Sequence, residues 1–227
     1  MSKKAVVLLS GGLDSATALA IAMDQGYDCS AISFDYEQRH KIEIEFAKAQ
    51  CTILGINHKT ILPDFGKFGG SALTDKGLEV PVHRDIDEMT ESIPITYVPG
   101  RNTIFIAYAL SYAETIDAQT IFLGVNCLDY SGYPDCRPVY IEAFETLAAL
   151  SSKQAVEGKP IKIETPLIDK TKVEIIQIGT KLGVDYSITS SCYNPTKDGL
   201  ACGKCDSCIL RSQGFEQAGI LDPTKYA

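Results

Sequence analysis

The sequence predicts an α/β fold, a doubly wound and mostly parallel sheet of five strands that is followed by a small C-terminal module with four clustered cysteines. Apolar strand patterns alternate with amphipathic helix patterns as far as residue 189, and this alternation indicates a parallel sheet with helices on both faces. From residue 190 onward the alternation ends and cysteines dominate the pattern. We therefore predict two units, an α/β domain over residues 1–189 and a metal-binding module over residues 190–227.

The elements can be placed from the hydrophobic periodicity. Apolar runs predict strands at residues 5–9, 29–34, 59–62, 120–125 and 161–164. Helix patterns cover residues 14–25, 42–53, 102–116, 140–150 and 173–182, with Gly26 and Gly55 as the stop signals of the first two. Residues 63–99 break the alternation. A connection of this length is usually functional or mobile, and a lid over a binding site is one interpretation.

Composition and charge restrict the class of protein. The chain has 227 residues, of which 45% are apolar and 22% are charged, as is typical of globular domains. Its net charge of −8 argues against general nucleic-acid binding, which depends on Lys and Arg at the phosphates. No apolar run approaches the roughly 20 residues of a membrane helix, and residues 5–9 are too few for the core of a signal peptide. We expect a soluble, cytoplasmic protein that binds small molecules, without nucleic-acid or membrane partners.

A candidate phosphate-binding loop lies where the first predicted strand ends and the first helix begins. Residues 10–15 read Ser-Gly-Gly-Leu-Asp-Ser. Glycines let backbone N–H groups approach a ligand closely, and the helix N-terminus favours an anion. Ser10 and Ser15 add hydroxyl donors, and Asp14 is a candidate ligand for Mg²⁺. The alternative is an ordinary strand-to-helix turn with a Ser or Asp cap. Neither a Walker A lysine nor a G-x-G-x-x-G pattern is present, so the loop is not one of those two types.

Four cysteines near the C-terminus have the spacing of a metal site. Cys202, Cys205 and Cys208 form two successive C-x₂-C steps, and Cys192 lies upstream. Four thiolates complete a tetrahedral Zn²⁺ and leave no position for water, so we predict one structural zinc ion per chain. An Fe–S cluster is the alternative, since C-x₂-C-x₂-C also begins the bacterial ferredoxin run. The Cys-Pro continuation of that run is missing here, which favours zinc over iron. Reduced thiols without a metal are the remaining interpretation.

The loop resembles the Ser-Gly-Gly-x-Asp-Ser signature of the PP-loop ATP pyrophosphatases. The resemblance implies an adenine nucleotide alpha hydrolase-like fold, with ATP as co-substrate together with Mg²⁺. It also implies that a substrate oxygen attacks the α-phosphate, which gives AMP and pyrophosphate. On this basis we assign nucleotide binding to the loop and its flanks, namely Leu8, Leu9, Ser10, Gly11, Gly12, Leu13, Asp14, Ser15, Ala16, Thr17 and Ala18.

Further segments extend the resemblance over nearly the whole chain. They are residues 34–40 (Phe-Asp-Tyr-Glu-Gln-Arg-His), 98–102 (Val-Pro-Gly-Arg-Asn), 131–137 (Ser-Gly-Tyr-Pro-Asp-Cys-Arg) and 165–167 (Thr-Pro-Leu). Together with the loop and the cysteines, they resemble the 7-cyano-7-deazaguanine synthase family of the queuosine precursor pathway. The resemblance implies a homodimer that converts 7-carboxy-7-deazaguanine, ammonia and ATP to the nitrile through an activated carboxylate and an amide. Family members usually carry glycine where this chain has Glu37, and often an acidic residue where it has Val139.

Candidate substrate residues follow the fourth predicted strand. Ligands of open α/β sheets bind beyond the carboxyl ends of the strands, and residues 126–137 emerge there if the first and fourth strands are neighbours. A deazapurine carboxylate needs an aromatic face, hydrogen-bond partners and a cation, and guanidinium groups bind carboxylates in a bidentate manner. We therefore expect substrate binding by Arg101, Asp129, Tyr133, Asp135 and Arg137. The predicted catalytic residues are Asp14, Ser15 and Arg137, and Cys136 as a covalent nucleophile is an alternative.

Two other functions stay open at this point. A tRNA thiolase of the same superfamily would adenylate a base and deliver sulfur; the charge of −8 argues against it and Cys136 argues for it. A zinc-stabilised, nucleotide-binding sensor without turnover is the second alternative. ATP hydrolysis that is stimulated by the deazaguanine would exclude the sensor.

Overall fold

Five parallel strands form the centre of the computed structural model, which describes residues 2–85, 88–89, 92–128 and 133–227. The strands are β1 (Lys3–Leu8), β2 (Tyr27–Phe34), β3 (Asn57–Ile61), β4 (Thr120–Phe122) and β5 (Lys162–Glu164). Their order is β3-β2-β1-β4-β5, and each neighbouring pair is parallel. The predicted sheet is confirmed. Because the strand order reverses at β1, the carboxyl ends of β1 and β4 form the crevice where such sheets bind ligands.

Seven α-helices of the described residues surround the sheet. They are α1 (Leu13–Asp24), α2 (Ile42–Leu54), α3 (Arg101–Ile116), α4 (Pro138–Ser151), α5 (Lys153–Val156), α6 (Lys172–Lys181) and α7 (Asp206–Ala218). The five predicted helices agree with α1 to α4 and α6 to within two residues at each end. Gly55 ends α2 in the left-handed conformation, with φ of 66°. The sequence analysis did not predict α5 and α7.

Residues 123–125 lie outside β4, which ends at Phe122, although the apolar pattern predicts that the fourth strand continues through them. Gly124 passes directly beneath the first turn of α1, where an added Cβ would lie 2.8 Å from the backbone nitrogen of Ser15. The backbone nitrogen of Leu123 still donates to the Glu164 carbonyl oxygen of β5 at 2.9 Å, and beyond it the chain turns under α1. The predicted strand at residues 120–125 is therefore three residues too long, and its end belongs to the crevice.

Apolar side chains on both faces of the sheet form the core. Val6, Ile32 and Ile121 belong to the cluster on the face covered by α3 and α4. Val7 and Phe122 belong to the cluster on the opposite face, beneath α1 and α2. Successive strand residues point to opposite faces, and both faces are apolar because helices cover both. None of the described helices is long and apolar enough to span a bilayer.

The described part of residues 63–99 packs against the rest of the molecule. Phe65 stacks on Tyr36 with ring centroids 5.2 Å apart. Arg39 Nη2 donates to the carbonyl oxygens of Asp75 and Leu78 at 2.8 and 2.7 Å. Near its middle the segment reaches the cysteine module, where the backbone nitrogen of His83 donates to the Lys204 carbonyl oxygen at 2.9 Å. The segment is thus anchored at the carboxyl end of β2 and at the module.

The C-terminal residues pack closely on the α/β unit. Ser190 N donates to the carbonyl oxygen of Gly11 at 3.0 Å. In α7, the buried Arg211 donates to the Tyr186 carbonyl oxygen at 3.1 Å and forms an ion pair with Asp222 at 3.1 Å. The division into units at residues 189 and 190 stays a prediction, because these contacts join the two parts in one packed structure.

Candidate active site

The loop between β1 and α1 lines a cleft of about 250 Å³ at the carboxyl end of β1. Gly11 has φ of 94°, and a Cβ at this position would lie 2.0 Å from the carbonyl oxygen of Glu43. Only glycine therefore permits this contact between the loop and α2. Ser15 Oγ donates to the Gly12 carbonyl oxygen at 3.1 Å and lies 3.0 Å from Ser10 Oγ. These hydroxyls hold the loop in shape and lie where a phosphate would meet backbone N–H groups.

Most of the residues predicted to bind nucleotide line this cleft, namely Leu8, Leu9, Ser10, Gly12, Leu13, Asp14 and Ser15. Ala16, Thr17 and Ala18 do not reach it and are 0–5% exposed. Thr17 Oγ1 donates to the Leu13 carbonyl oxygen at 2.9 Å and lies 2.8 Å from Tyr186 Oη. The structure places these three residues in the core behind the loop. They support α1, and the loop and the end of β1 form the wall of the cleft.

Asp14 has a partner that the sequence analysis missed. Lys172 Nζ lies 2.7 Å from Asp14 Oδ1, and both residues line the cleft. A capping box between Thr171 and Glu174 fixes the start of α6 and thereby the position of Lys172. The Thr-x-x-Glu pattern could have shown the start of this helix, but not its approach to a loop 158 positions away. The site thus has a lysine near its phosphate loop, although the loop itself has none.

Arg101 lines the same cleft as the loop, as do the cationic residues Lys172 and Arg211. Burial lowers the pKa of the Arg101 guanidinium, but Tyr36, Tyr133 and Asp135 outweigh burial and raise the pKa above its ordinary value, so Arg101 stays charged. Tyr133 also lines the cleft, and its hydroxyl lies 2.9 Å from Thr96 Oγ1. These two predicted substrate residues are therefore brought together with the loop.

The other predicted substrate residues lie elsewhere. Asp135 is buried behind the cleft, where its Oδ2 accepts from the backbone nitrogen of Asn102 at 3.2 Å and so fixes the start of α3. Arg137 is exposed, and its Nε donates to the Pro134 carbonyl oxygen at 3.2 Å. It is not among the described residues that line the cleft, because it follows a 3-10 turn and caps α4 at the surface. Asp129 lies outside the described residues.

Cys136 lines the cleft but has the properties of a packed thiol. Burial, with the nearby Asp135 carboxylate, raises the pKa of the Cys136 thiol to about 12. The thiolate is the nucleophilic form of cysteine, and this environment disfavours it. The geometry therefore does not support the alternative in which Cys136 is a covalent nucleophile.

His40 and Glu43 form a polar pair in the cleft to which the sequence analysis assigned no role. His40 Nε2 lies 3.4 Å from Glu43 Oε1, and Gln38 Nε2 donates to the same oxygen at 3.2 Å. Burial raises the pKa of Glu43 to about 8 and lowers the pKa of His40 to about 3. Residues 34–40 carry the family resemblance, and the sequence pattern of this segment could have identified His40.

Glu37 and Val139, where the chain departs from the pattern that it resembles, both lie at the surface. Glu37 has φ of 64°, the left-handed conformation that favours glycine. This backbone explains the glycine that family members usually carry. The Glu37 side chain is not among the described residues that line the cleft, and Val139 is 64% exposed near the start of α4.

The four predicted metal ligands converge. The Sγ atoms of Cys192, Cys202, Cys205 and Cys208 all lie within 4.8 Å of one another. Sulfur atoms at the corners of a tetrahedron with Zn–S bonds of about 2.3 Å are about 3.8 Å apart, so the cluster fits a metal ion of this type.

The surroundings of the cluster affect its four thiols unequally. Backbone N–H groups donate to Sγ of Cys192 at 3.2 and 3.3 Å and to Sγ of Cys205 at 3.5 Å. Hydrogen bonds from the neighbouring thiols lower the pKa of Cys205, and the same contacts raise the pKa of Cys208. Without a cation, one thiolate therefore forms at the expense of its neighbours. A divalent ion removes this conflict, because it stabilises all four charges together.

The parallel sheet, the loop at the carboxyl end of β1 and the four-cysteine cluster define an α/β protein of the PP-loop ATP pyrophosphatase class. Within this class, the chain belongs to the family described as queuosine biosynthesis protein QueC, whose model matches residues 4–219.

Relatives of full length agree with this family. The 7-cyano-7-deazaguanine synthase of Saccharophagus degradans is 56% identical over 227 residues, which cover 100% of this chain and 99% of the relative. That of Cellvibrio japonicus is 58% identical over 226 residues, which cover 99% and 98%. Among solved structures, NMN synthetase from Francisella tularensis matches with a TM-score of 0.50 at 17% identity over 97% of this chain and 79% of that one. This last likeness concerns the fold alone.

Proposed function

We propose that this chain uses ATP and ammonia to convert 7-carboxy-7-deazaguanine to 7-cyano-7-deazaguanine. One observation carries the proposal: a phosphate loop and a charged arginine line the same cleft. The loop suits the pyrophosphate end of ATP, and Arg101 suits the carboxylate that ATP activates. The full-length relatives named 7-cyano-7-deazaguanine synthase support this substrate.

The proposed reaction overcomes a poor leaving group twice. A carboxylate resists ammonia because its leaving group is oxide. Attack of a carboxylate oxygen on the α-phosphate of ATP releases pyrophosphate and makes AMP the leaving group. Ammonia then forms the amide. The amide oxygen attacks the α-phosphate of a second ATP and releases pyrophosphate. The amide nitrogen then loses both protons to solvent as AMP leaves with the C–O electron pair, which gives the nitrile. Because the described residues contain one phosphate loop of this type, we propose that one site performs both activations.

The residues of the loop have distinct roles in this proposal. Backbone N–H groups of residues 10–15, with the hydroxyls of Ser10 and Ser15, hold the pyrophosphate as it leaves. Asp14 is the residue that would hold Mg²⁺, which neutralises phosphate charge when it is bound. Lys172 holds the Asp14 carboxylate in place at 2.7 Å and adds a positive charge beside the phosphates.

We expect Arg101→Ala to raise KM for the deazaguanine at least about tenfold, because a charge-assisted hydrogen bond contributes about 1.5–3 kcal/mol. The same change should alter KM for ATP much less. Arg137→Ala is the matched control, since this arginine is exposed and outside the cleft wall. Steady-state kinetics with each substrate varied in turn measure both effects. A larger rise in KM for Arg137→Ala would instead assign the carboxylate to the arginine that the sequence analysis favoured.

We propose that the metal in the cysteine cluster is one structural zinc ion per chain. Among the described residues, the potential ligands that converge on the cluster are its four cysteines, without a histidine or a carboxylate. Four thiolates complete a tetrahedral zinc site and leave no position for a reacting water. Metal analysis should show zinc in a colourless protein. A brown protein with visible charge-transfer absorption would mean that the cluster holds iron and sulfide.

We also propose a homodimer in the cytoplasm, as the family resemblance implies. An exposed apolar stripe on α4 supports the dimer, because Val139, Leu147 and Leu150 are 64%, 52% and 78% exposed and share one helix face. Analytical ultracentrifugation of the holoprotein tests it.

The test of the proposed reaction is an incubation with Mg-ATP, ammonium and 7-carboxy-7-deazaguanine, followed by mass spectrometry of the base. We expect the nitrile, with the amide visible at early times because both activations share one site. An unchanged base, with thiolation of tRNA when a sulfur donor is supplied, would identify a thiolase instead. ATP that is bound but never consumed would identify a sensor.

A further inference from the structure

The segment after β2 brings a carboxylate and an imidazole to the same side of the cleft. His40 ends the segment of residues 34–40, and Glu43 lies in the first turn of α2. Both residues line the cleft that contains the phosphate loop. The backbone of Glu43 touches the loop itself, at the contact that requires glycine at position 11. The pair therefore lies beside the place where the α-phosphate and the activated carboxyl carbon must meet.

The pair presents unused hydrogen-bond acceptors. Gln38 and His40 both contact Oε1 of Glu43, and no described residue donates to its Oε2. His40 is 5% exposed, and its Nδ1 has no hydrogen-bond partner among the described residues. When Glu43 is ionised, Nε2 is the ring nitrogen that carries hydrogen toward the carboxylate, which leaves Nδ1 as an acceptor. Buried polar atoms are rarely left without partners, which indicates that a ligand with several donors belongs here.

The charge of the cleft indicates what kind of donor fits. Arg101 is a permanent cation in the wall of the cleft, and the low pKa of His40 keeps its imidazole neutral. Because burial raises the pKa of Glu43 to about 8, a small cation beside it is what favours the carboxylate form. Ammonium has hydrogen-bond donors on every side and no acceptor, which matches the two free acceptor atoms.

We propose that Glu43 and His40 form the ammonia site of this enzyme, in which Glu43 takes the proton of ammonium and is a catalytic residue. The inference rests on the proposed function, because it concerns the nitrogen that enters the same cleft.

The step balances without a further reactant. Ammonium transfers one proton to the Glu43 carboxylate and becomes ammonia. The nitrogen lone pair then forms a C–N bond to the activated carboxyl carbon, the bond from that carbon to the phosphate-bound oxygen breaks, and AMP leaves with the electron pair. The nitrogen loses one further proton to solvent, which gives the neutral amide. His40 orients the ammonia by accepting one N–H at Nδ1.

The electrostatics of the site support this role. A carboxylate at its ordinary pKa is too weak a base for ammonium. Burial raises the pKa of Glu43 to about 8, with hydrogen bonding from Gln38 and the charge of Arg101 opposing that rise. Proton transfer is efficient when the pKa values of donor and acceptor are close. The titratable and charged groups that face Glu43 are Tyr36 after β2, His40 from the same segment and Arg101 from α3. His40 itself also faces Arg101 and Cys205.

The decisive experiment compares two nitrogen nucleophiles in a Glu43→Gln variant. Ammonium must lose a proton before it can attack, whereas hydroxylamine is already unprotonated at neutral pH. We expect kcat/KM for ammonium to fall at least about a hundredfold, in the range of general-base catalysis. The rate with hydroxylamine should change less than about threefold. ATP–pyrophosphate exchange that depends on the deazaguanine should persist, because activation precedes the entry of nitrogen.

Three controls make the result interpretable. Glu45→Gln removes an exposed carboxylate from the same helix and should leave every rate unchanged. His40→Gln should raise KM for ammonium with a smaller effect on kcat, since His40 only orients the ligand. The thermal unfolding midpoint of each variant shows whether it is folded.

Other outcomes would overturn the inference. Equal losses with ammonium and hydroxylamine would make Glu43 a structural residue. A raised KM for the deazaguanine with unchanged use of ammonium would show that Glu43 binds the base. If the Glu43→Gln variant does not fold, His40→Gln becomes the test. An unchanged KM for ammonium in that variant would exclude the proposed ammonia site. A wild-type chain that makes no nitrile overturns the proposed function, and this inference with it.

Discussion

Cys205→Ser is expected to abolish metal binding and to lower the free energy of unfolding by more than about 3 kcal/mol. Cys205 is fully buried and is the N-cap of α7, and Cys208 lies in the first turn of that helix. Loss of one of four ligands leaves the other thiolates without their cation. The start of α7 then loses its support, and with it the position of Arg211, which joins this helix to the α/β unit through the Tyr186 carbonyl oxygen. Metal analysis and thermal unfolding measure the two effects.

Cys127→Ser is the matched control for this prediction. Cys127 is partly exposed, lies outside the cluster and donates to the Ile168 carbonyl oxygen at 2.8 Å, a bond that a serine hydroxyl can also make. This variant should keep its metal and its stability. If Cys205→Ser is too unstable to purify, removal of the metal from the wild-type chain by a chelator should lower its unfolding midpoint. Unchanged metal content or stability after both treatments would show that the cluster holds no structural ion.

Gly11→Ala is expected to lower activity at least about a hundredfold and to destabilise the chain by about 2–4 kcal/mol. The added Cβ would lie 2.0 Å from the backbone carbonyl oxygen of Glu43, so either the loop or α2 must move. Overpacking of this kind costs about 1–3 kcal/mol, and the positive φ adds about 1 kcal/mol. Displacement of the loop also moves the N–H groups that hold the phosphates.

Gly26→Ala separates the two causes. Gly26 has φ of 80°, but an added Cβ meets nothing within 4 Å. This control should show the cost of the backbone conformation alone, about 1 kcal/mol, with normal activity. Denaturant unfolding and steady-state kinetics of the two variants give the comparison. Equal behaviour of the two variants would show that the close approach at Gly11 has no role in the site.

The sheet and most helices could be predicted because hydrophobic periodicity is a local property of the sequence. The phosphate loop and the four cysteines could be predicted because their spacing along the chain nearly determines their geometry. The helix α7 was missed for a physical reason. Its buried positions include Cys208, Arg211 and Phe215, so a ligand and a paired charge occupy the stripe that apolar residues usually fill.

The walls of the cleft could not be predicted with the same success. Arg101 and Arg137 were both candidates, and only the packing of α3 and α4 shows that one is in the cleft and the other at the surface. Lys172 meets Asp14 through the pairing of distant helices, which leaves no pattern in the sequence. Glu43 received no role from the sequence, because its burial becomes apparent only once the loop packs against it.

An ¹⁸O experiment tests whether one loop activates oxygen twice through the α-phosphate of ATP. The substrate is 7-carboxy-7-deazaguanine with both carboxylate oxygens labelled, incubated with Mg-ATP and ammonium. We expect two AMP for each nitrile, with one ¹⁸O in the phosphate of each AMP and no label in pyrophosphate. ADP with the label in inorganic phosphate would contradict it, since that result means attack on the γ-phosphate.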